Sequence, residues 1–464
     1  MQDRIPVGRA RRAARATAAL APGTLRLLGS VAARIGRSPE RSAEILERHQ
    51  AQLAEQAVEV LGSLRGGAMK VGQLASFIEI DAVPPQYRAI WQEKLAVLRD
   101  SAPPMPWARV ERVLASEWQR PVGEVLADVD RDTAAGASIG QVHRAVLKDG
   151  REVALKVQYP EVADALESDV GTAAMLIRLG KLIAPGLDPR VVAGELRERM
   201  LEEVDYELEA DNQRLFARSW RDHPCVFVPP VVSELSRRRV LVSEWVRGRR
   251  FEEVVEIPRA DRDRYGEIVY RFAYGSMHRA GAYNTDLHPG NHLLGDDGRV
   301  VFLDFGSVKR VERARMEHGA RALLAVESGD LEALREHLGA LGYLRDAPKA
   351  SMDRWMAQAR ATQPWLFVDE PVTIDAELAG RVVGQLAAPD GAVTLARELA
   401  VPADDVMFRR LEVGVVAILA RLCSTANWYR IAREYWFGWE PVSEVGRADR
   451  AYWEARGRAE PLLT

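Results

Sequence analysis

The sequence predicts an α+β protein of two lobes, with a small lobe built on an antiparallel sheet, a large helical lobe and an N-terminal helical extension. Two observations support this fold class. Strand-like alternation over 141–157 interrupts a chain that otherwise carries apolar residues at helical spacing. With 464 residues, 47% of them hydrophobic, the chain is long enough to bury the cores of two or three domains. We expect a basic arm over 1–39, the helical extension over 40–105, the small lobe over 106–245 and the large lobe over 246–464.

The elements of the small lobe follow from the period of the apolar residues. A helical pattern from Trp107 to Trp118 gives way to alternation in 141–147 and 152–157, and a Lys148-Asp149-Gly150 turn joins these two runs. The pattern predicts a hairpin with Lys156 late in its second strand. We expect helices near 161–183 and 189–218, and further strands in Val226–Val232 and Val240–Val242.

Two short motifs at the start of the large lobe carry the chemistry. Asp286, Asn291 and Asp304 stand at spacings of five and thirteen residues. These are the spacings of the phosphoryl-transfer core of protein-kinase-like folds. There the first Asp faces the group that receives the phosphoryl, while the Asn oxygen and the second carboxylate hold Mg²⁺. Mg²⁺ prefers hard oxygen ligands, so these residue types suit it.

Either motif alone is weak, because an isolated Asp-Phe-Gly is usually a turn. Here both motifs flank a predicted hairpin, Leu293-Leu294 with Val300–Leu303, which turns through Asp296-Asp297-Gly298. A kinase-like fold needs them in these positions. The sequence therefore predicts a two-lobed protein-kinase-like fold that uses ATP or ADP with Mg²⁺.

Lys156 and a carboxylate partner are the candidate phosphate-binding pair. Val153-Ala154-Leu155-Lys156 matches the strand that places a lysine on the α- and β-phosphates, and such a lysine needs a carboxylate to position it. Glu209 is the candidate, within the acidic stretch Leu201–Asn212. The alternative interpretation of that stretch is a solvated charged helix.

The nucleotide's other contacts are expected in a loop before Lys156 and in a hinge after it. Protein kinases carry a Gly-rich loop where this chain has Ala135, Gly136, Ala137 and Ser138. Small residues let backbone N–H groups approach phosphate, but Ala resists positive φ, so a more restricted loop is expected. The segment 241–248 is typical of a hinge, with the backbone of Glu244 and Val246 at the adenine edge.

The complete set of motifs resembles the UbiB/AarF-type family of atypical kinase-like proteins, which is associated with coenzyme Q and isoprenoid-lipid biology. The resemblance covers roughly residues 60–310. Five segments match the family's motifs in its order: Lys70-Val71-Gly72-Gln73 for the K-x-G-Q helix, Ala135–Ser138 for the Ala-rich loop, Glu203-Val204-Asp205 for the E-x-D motif, Asp286–Asn291, and Asp304-Phe305-Gly306. One departure is Gly136, which stands where the family usually has Ala.

The resemblance implies that the K-x-G-Q helix lies across the active site and blocks the groove where a protein kinase holds a peptide. Lys70, Gln73, Glu203 and Asp205 would then be occluding or regulatory residues. The chain after Gly306 agrees, since it runs towards a helix with no Ala-Pro-Glu and no recognisable activation segment. Protein kinase activity is therefore not expected.

The function favoured by these observations is an ATPase, or a small-molecule or lipid kinase, that supports quinone or isoprenoid-lipid metabolism. Lys156, Glu209 and Asp286 are its candidate catalytic residues, and Asn291 and Asp304 its metal ligands. One alternative is a phosphotransferase of the aminoglycoside or choline kinase type, although Asn284 occupies the place where those enzymes typically carry His. The other is a non-catalytic scaffold gated by nucleotide.

Charge and composition limit the partners. The net charge of −3 argues against nucleic acid, but residues 1–39 hold eight Arg against one acid, Asp3. That arm is expected to contact an anionic membrane surface, with a solvated arm or an organellar transit peptide as alternatives. Besides the nucleotide, we expect a lipid or quinone precursor and lipid-biosynthesis enzymes as partners.

The apolar runs and the cysteines indicate the compartment. No apolar run reaches the roughly eighteen residues of a transmembrane helix, so a cytoplasmic protein, peripheral at the membrane, is expected. Cys225 and Cys423 are both expected to be core thiols in a reducing compartment.

Overall fold

The structure, a computed structural model, describes residues 105–137, 139–160, 204–344, 352–387 and 402–463. Several predictions fall on other parts of the chain and lie outside the described residues. These are the basic arm, the helical extension, the helix near 161–183, the first part of the helix near 189–218, and the site residues Lys70, Gln73, Ser138 and Glu203.

The small lobe is a five-stranded antiparallel sheet with two helices beside it. Helix α1 (Trp107–Trp118) confirms the predicted helix, and its buried residues pack in one core with those of the sheet. The strand order is β1-β3-β4-β6, with β2 paired to β3. The other elements are α2 (Val122–Val125), β1 (Leu126–Val129), β2 (Ala135–Ala137), β3 (Gly140–Leu147), β4 (Glu152–Gln158) and β6 (Val240–Glu244).

The predicted hairpin of β3 and β4 is confirmed, and its register determines where Lys156 points. Val142 pairs with Lys156 across the two strands. Val153, Leu155 and Val157 are buried in the small-lobe core. Because side chains alternate across a strand, Lys156 lies on the opposite face of β4 from these three residues.

The predicted strand over Val226–Val232 is wrong in its length. Val226–Phe227 forms a two-residue strand, β5, which runs parallel to β10 (Val300–Phe302) in a second sheet, whereas Val231 makes an isolated antiparallel bridge to Ser243 of the small-lobe sheet. Pro229 and Pro230 lie between these two parts, and proline has no N–H to donate to a ladder. The predicted strand at Val240–Val242 is confirmed as part of β6.

The large lobe is mainly helical and is organised around α5 (Arg259–Ala280), whose Ile268, Val269 and Phe272 are fully buried in the larger core. The second sheet has the order β5-β10-β9-β7. The remaining elements are α3 (Tyr206–Ser219), β7 (Gly248–Arg250), α4 (Phe251–Val254), β8 (Ala282–Asn284), β9 (His292–Gly295), β10 (Val300–Phe302), β11 (Val308–Arg310), α6 (Arg313–Ser328), α7 (Leu331–Ala340), α8 (Met352–Thr362), β12 (Val372–Ile374), α9 (Ala376–Ala387), α10 (Ala403–Leu422), β13 (Ser424–Ala426), α11 (Trp428–Phe437) and α12 (Glu444–Glu454).

Two strand pairings position the segments that carry Asp286, Asn291 and Asp304. The predicted hairpin is confirmed as β9 and β10, with Leu293 opposite Val301 and Gly298 at φ 78° in the turn. Strand β8 pairs with β11, so Asn284 lies opposite Val308. The chain after Gly306 therefore forms a short strand before its helix begins, which the sequence pattern did not predict.

The two cysteines differ in their surroundings. Cys225 is buried as expected, but Cys423 is exposed, so the expectation of a core thiol is wrong there. Cys423 ends α10 in the left-handed region with φ 50°, where the backbone turns away from the helix. Within the described residues, no helix is both long and apolar enough to cross a membrane.

Gly136 in β2 and Gly140 in β3 provide a matched pair of substitutions. A Cβ at Gly140 would lie 2.3 Å from the Val157 carbonyl oxygen and 2.9 Å from the Tyr206 hydroxyl, whereas a Cβ at Gly136 would meet nothing within 4 Å. We expect Gly140→Ala to destabilise the protein by about 1–3 kcal/mol. Gly136→Ala should leave the free energy of unfolding unchanged or raise it by up to about 1 kcal/mol. Urea unfolding of both variants tests this, and the reverse ranking would contradict the packing.

Candidate nucleotide site

Lys156, Glu209 and Asp304 meet in one cluster between the lobes. The Lys156 ammonium nitrogen lies 2.6 and 2.9 Å from the two Glu209 carboxylate oxygens and 3.0 Å from Asp304 Oδ2. The Glu209 side chain is 3% exposed and that of Lys156 is 14% exposed. These residues come from β4, from α3 and from the loop after β10. For Glu209, the alternative of a solvated charged helix is therefore excluded.

Helix α3 turns Glu209 inward because of its cap and its buried face. Asp205 precedes the helix, and its Oδ1 accepts hydrogen bonds from the backbone N–H groups of Glu207 (3.0 Å) and Leu208 (3.3 Å). Tyr206, Glu209 and Phe216 are buried at helical spacing. Asp205 was predicted as an occluding or regulatory residue. The structure shows it as a helix cap, and its contacts with the K-x-G-Q segment stay a prediction.

Burial and the neighbouring charges shift the pKa values of all three groups in the cluster. Burial acts to lower the pKa of Lys156, but the nearby negative charges of Asp304 and Glu209 outweigh it and the pKa is raised well above its ordinary value. Burial, together with the Asp304 charge, raises the pKa of Glu209 to about 7 against the opposing effect of Lys156. Burial also acts to raise the pKa of Asp304, yet Lys156 and the Gly306 N–H hold it below its usual value. Two carboxylates share one cation, so the cluster favours further positive charge.

Asn284 connects the Asp286 loop to the Asp304 loop. Its Oδ1 accepts from the Asp286 backbone N–H at 2.9 Å, and its Nδ2 donates to the Asp304 carbonyl at 2.6 Å. Sequence reasoning used Asn284 only to argue against an alternative function and missed this role. The signal was its place two residues before Asp286, inside the motif segment.

Asn291 and Asp304 present oxygen ligands that suit Mg²⁺. The Asn291 amide nitrogen donates to the Asp286 carbonyl at 3.4 Å, which leaves its amide oxygen available as a ligand. Asp304 Oδ1 accepts from the Gly306 N–H at 3.0 Å, and carboxylate oxygens have further lone pairs. In the part of the chain that the structure describes, no group of three or more His, Cys, Asp or Glu forms a metal site. Mg²⁺ in nucleotide sites takes one or two carboxylates and completes its shell with phosphate and water.

The loop and the hinge have partly the expected form. Ala135, Gly136 and Ala137 form strand β2, which pairs with β3 in a short hairpin. At the hinge, the Glu244 N–H already donates to the Pro230 carbonyl at 2.9 Å. An adenine contact of Glu244 would therefore use its carbonyl oxygen. Val246 is the second residue after β6, following Trp245.

Arg410 is a site residue that sequence reasoning missed. Its Nη2 lies 3.0 Å from Asp286 Oδ1, and its side chain is 24% exposed. It comes from α10, far along the chain from every motif. No local pattern around it indicates a site, so only the tertiary structure could reveal it.

The sequence matches a known family whose fold agrees with this site. The model of the ABC1 atypical kinase-like domain matches residues 97–338, just over half of the chain. The chain belongs to the ABC1 atypical kinase-like family. This confirms the resemblance to UbiB/AarF-type proteins, and with it a kinase-like, ATP-using role in general.

Relatives of this ABC1 chain include organellar proteins. It is 30% identical over 334 residues to the mitochondrial atypical kinase coq-8 of Caenorhabditis elegans, covering 69% of this chain and 44% of that one. It is also 30% identical to the chloroplastic protein ACTIVITY OF BC1 COMPLEX KINASE 1 of Arabidopsis thaliana, covering 58% of this chain and 41% of that one. The chain thus spans less than half the length of these two relatives.

A solved structure that is similar to this chain confirms the fold. Rv3197 of Mycobacterium tuberculosis, solved in complex with erythromycin, is 33% identical to this chain with a TM-score of 0.59. The match covers 85% of this chain and 97% of the other. The prediction of a two-lobed α+β kinase-like fold is therefore confirmed.

Proposed function

We propose that this protein is an ATPase, or a small-molecule or lipid kinase, that supports quinone or isoprenoid-lipid metabolism at a membrane. The observation that carries the proposal is the cluster of Lys156, Glu209 and Asp304. A charged lysine held by one buried carboxylate beside a second carboxylate is the arrangement that positions nucleotide phosphates and their Mg²⁺ in kinase-like folds.

Each site residue then has a chemical task. Lys156 contacts the α- and β-phosphates, and Glu209 holds the lysine in position. Asn291 and Asp304 would hold Mg²⁺, which would neutralise phosphate charge. Asp286 is the second residue after β8, with one carboxylate oxygen on Arg410, and it orients the attacking hydroxyl or water and receives its proton.

The small lobe supplies the contacts to the rest of the nucleotide. The short hairpin with Ala135, Gly136 and Ala137, together with Ser138, covers the phosphates. The Glu244 carbonyl and the Val246 backbone meet the adenine edge. In support, β6 ends at Glu244 and is paired with β4, which carries Lys156, so the hinge and the phosphate-binding lysine belong to one sheet.

The acceptor in this proposal is a small molecule, a lipid or water, and not a peptide. After Gly306 the chain enters β11 and then α6, which starts at Arg313, so only a few residues separate the metal-binding loop from a packed helix. A protein kinase needs a longer segment there to dock a peptide. Occlusion of the groove by Lys70, Gln73, Glu203 and Asp205 is part of the same proposal.

The relatives' names support the metabolic setting. Two of them are called mitochondrial or chloroplastic kinases of the coq-8 and BC1-complex type. We assign the basic arm, residues 1–39, to contact with an anionic membrane surface at which a lipid or quinone precursor and lipid-biosynthesis enzymes meet the protein. The Rv3197 complex with erythromycin favours, as second candidate, phosphoryl transfer to a small soluble molecule.

Nucleotide binding and phosphate release by the full chain test the proposal. We expect Mg²⁺-dependent binding of ATP, and a rate of phosphate release that rises on vesicles of anionic phospholipid but not on zwitterionic vesicles. The stimulation should weaken as salt is added, because exposed charges are screened. Absence of Mg²⁺-dependent nucleotide binding would contradict the proposal. Binding without any turnover would favour a nucleotide-gated scaffold.

A further inference from the structure

Arg410 places a positive charge beside the Asp286 carboxylate. Its Nη2 is 3.0 Å from Asp286 Oδ1, and its charge also acts on Asp304. The motif segment Thr285–Asn291 contains no Lys or Arg of its own. The cation beside Asp286 is therefore supplied by a helix from a distant part of the sequence.

The packing of α10 directs Arg410 towards the site. Leu411, the next residue, is fully buried, and the Phe408 ring meets the Tyr283 ring edge-on at 6.0 Å. A Cβ at Gly414 would lie 3.7 Å from the Leu287 carbonyl oxygen, so the helix runs against the Asp286 loop itself. These contacts hold α10 in place, and the partly exposed Arg410 side chain reaches Asp286.

We propose that Arg410 binds the terminal phosphate of a nucleoside triphosphate and so distinguishes a triphosphate from a diphosphate. The inference rests on the proposed function, in which Asp304 holds Mg²⁺ on the phosphates and Asp286 faces the acceptor. The group in transfer then lies next to Asp286, and the Arg410 guanidinium is 3.0 Å from that carboxylate. A guanidinium presents parallel N–H donors that match phosphate oxygens, and such charge-assisted bonds are among the strongest hydrogen bonds in proteins.

The ion pair with Asp286 couples triphosphate binding to the catalytic carboxylate. With no triphosphate present, Asp286 holds Arg410 in place. A terminal phosphate carries more negative charge than one carboxylate and competes for the guanidinium. Its binding frees the Asp286 oxygen to accept a hydrogen bond from the acceptor hydroxyl or water.

In the proposed transfer, one bond to the terminal phosphorus forms and another breaks. The acceptor oxygen forms a bond to the terminal phosphorus, and the bond from that phosphorus to the β–γ bridging oxygen breaks, with its electron pair leaving on ADP. The acceptor proton goes to Asp286. Arg410 remains charged throughout and stabilises the oxygens of the phosphoryl group in transit.

The test compares the affinity of the full chain for a non-hydrolysable ATP analogue and for ADP, both with Mg²⁺, by calorimetry. We expect Arg410→Ala to weaken binding of the analogue by about tenfold to a hundredfold, as for a lost charge-assisted hydrogen bond, and to change ADP binding less than about twofold. Arg410→Lys keeps the positive charge but not the parallel N–H donors, and it should show an intermediate loss of affinity for the analogue. It also serves if the alanine variant does not fold. Arg421→Ala, at the exposed end of the same helix beside Glu252, is the matched control and should change neither affinity.

Equal losses for the analogue and ADP, or no loss for the analogue, would overturn the assignment of Arg410 and leave the proposed function intact. A wild-type protein that binds neither nucleotide would overturn both. Loss confined to the triphosphate, graded from arginine through lysine to alanine, is the outcome that supports the inference, because a purely structural ion pair would affect both nucleotides alike.

Discussion

Asp304→Asn is expected to lower Mg²⁺-dependent turnover by about a thousandfold while the fold is kept. In the proposed site the Asp304 carboxylate binds Mg²⁺ and also contacts the Lys156 ammonium at 3.0 Å. A catalytic metal ion contributes several kcal/mol to the transition state, and each 1.36 kcal/mol corresponds to about a factor of ten in rate. Asparagine keeps an oxygen that can accept from the Gly306 N–H, so the loop should retain its shape. Phosphate release at saturating Mg²⁺-ATP measures the effect.

A neighbouring carboxylate offers the control for this variant. Asp297 lies in the turn between β9 and β10, where it pairs with Arg299 at the surface. Such surface pairs contribute little, so Asp297→Asn should keep nearly full activity. Activity of Asp304→Asn equal to that of the wild-type protein would remove the metal assignment. A large loss in Asp297→Asn would show that the loss in Asp304→Asn is not specific to the site.

Lys156→Met is expected to abolish turnover and to destabilise the protein by about 3 kcal/mol near pH 8. The substitution leaves Glu209, whose side chain is 3% exposed, facing Asp304 without the cation that they share. Removing one partner of a buried ion pair typically costs about 3–5 kcal/mol, and the partial exposure of Asp304 places this case at the lower end. Urea unfolding monitored by tryptophan fluorescence gives the free energy.

The destabilisation of Lys156→Met should depend on pH in a defined direction. Burial already raises the pKa of Glu209 from the ordinary 4.5 to about 7, and Lys156 opposes that rise. Without the lysine the pKa rises further. Up to about pH 7 the folded state binds more protons than the unfolded state in both proteins, so the two stabilities fall together. Above pH 7 only the variant keeps the extra proton on Glu209, and its stability falls further as pH rises. The deficit of the variant should be smallest near pH 5 and largest near pH 8.

A surface ion pair in the same sheet is the control for the pH dependence. Arg144 and Glu152 pair across β3 and β4 with side chains 38% and 36% exposed. Arg144→Met should have a small effect that is flat from pH 5 to pH 8, because an exposed carboxylate is solvated without its partner. A Lys156→Met deficit that is equal at pH 5 and pH 8 would show that loss of Lys156 does not raise the pKa of Glu209 further.

The sequence was informative wherever the signal is local. The β3–β4 and β9–β10 hairpins follow from alternation and from turn residues such as Gly298, which lies at φ 78°. The spacing of Asp286, Asn291 and Asp304 is set by one loop and one hairpin, so a linear motif is enough to find all three. The strand prediction at Val226 failed in part because Pro229 and Pro230 interrupt the segment. The parallel partner of the short strand that remains, β10, cannot be inferred from the sequence pattern of the segment.

By itself, the sequence determined the fold class, the family and the candidate residues that lie within short motifs. Only the tertiary structure decided that Glu209, among several acids of its helix, faces Lys156, that Asn284 connects the two loops, and that Arg410 meets Asp286. The physical reason is distance along the chain. A contact within one hairpin or one helical turn leaves a periodic pattern or a fixed spacing, whereas a contact between distant segments depends on how whole helices and sheets pack, and it leaves no local pattern around either residue.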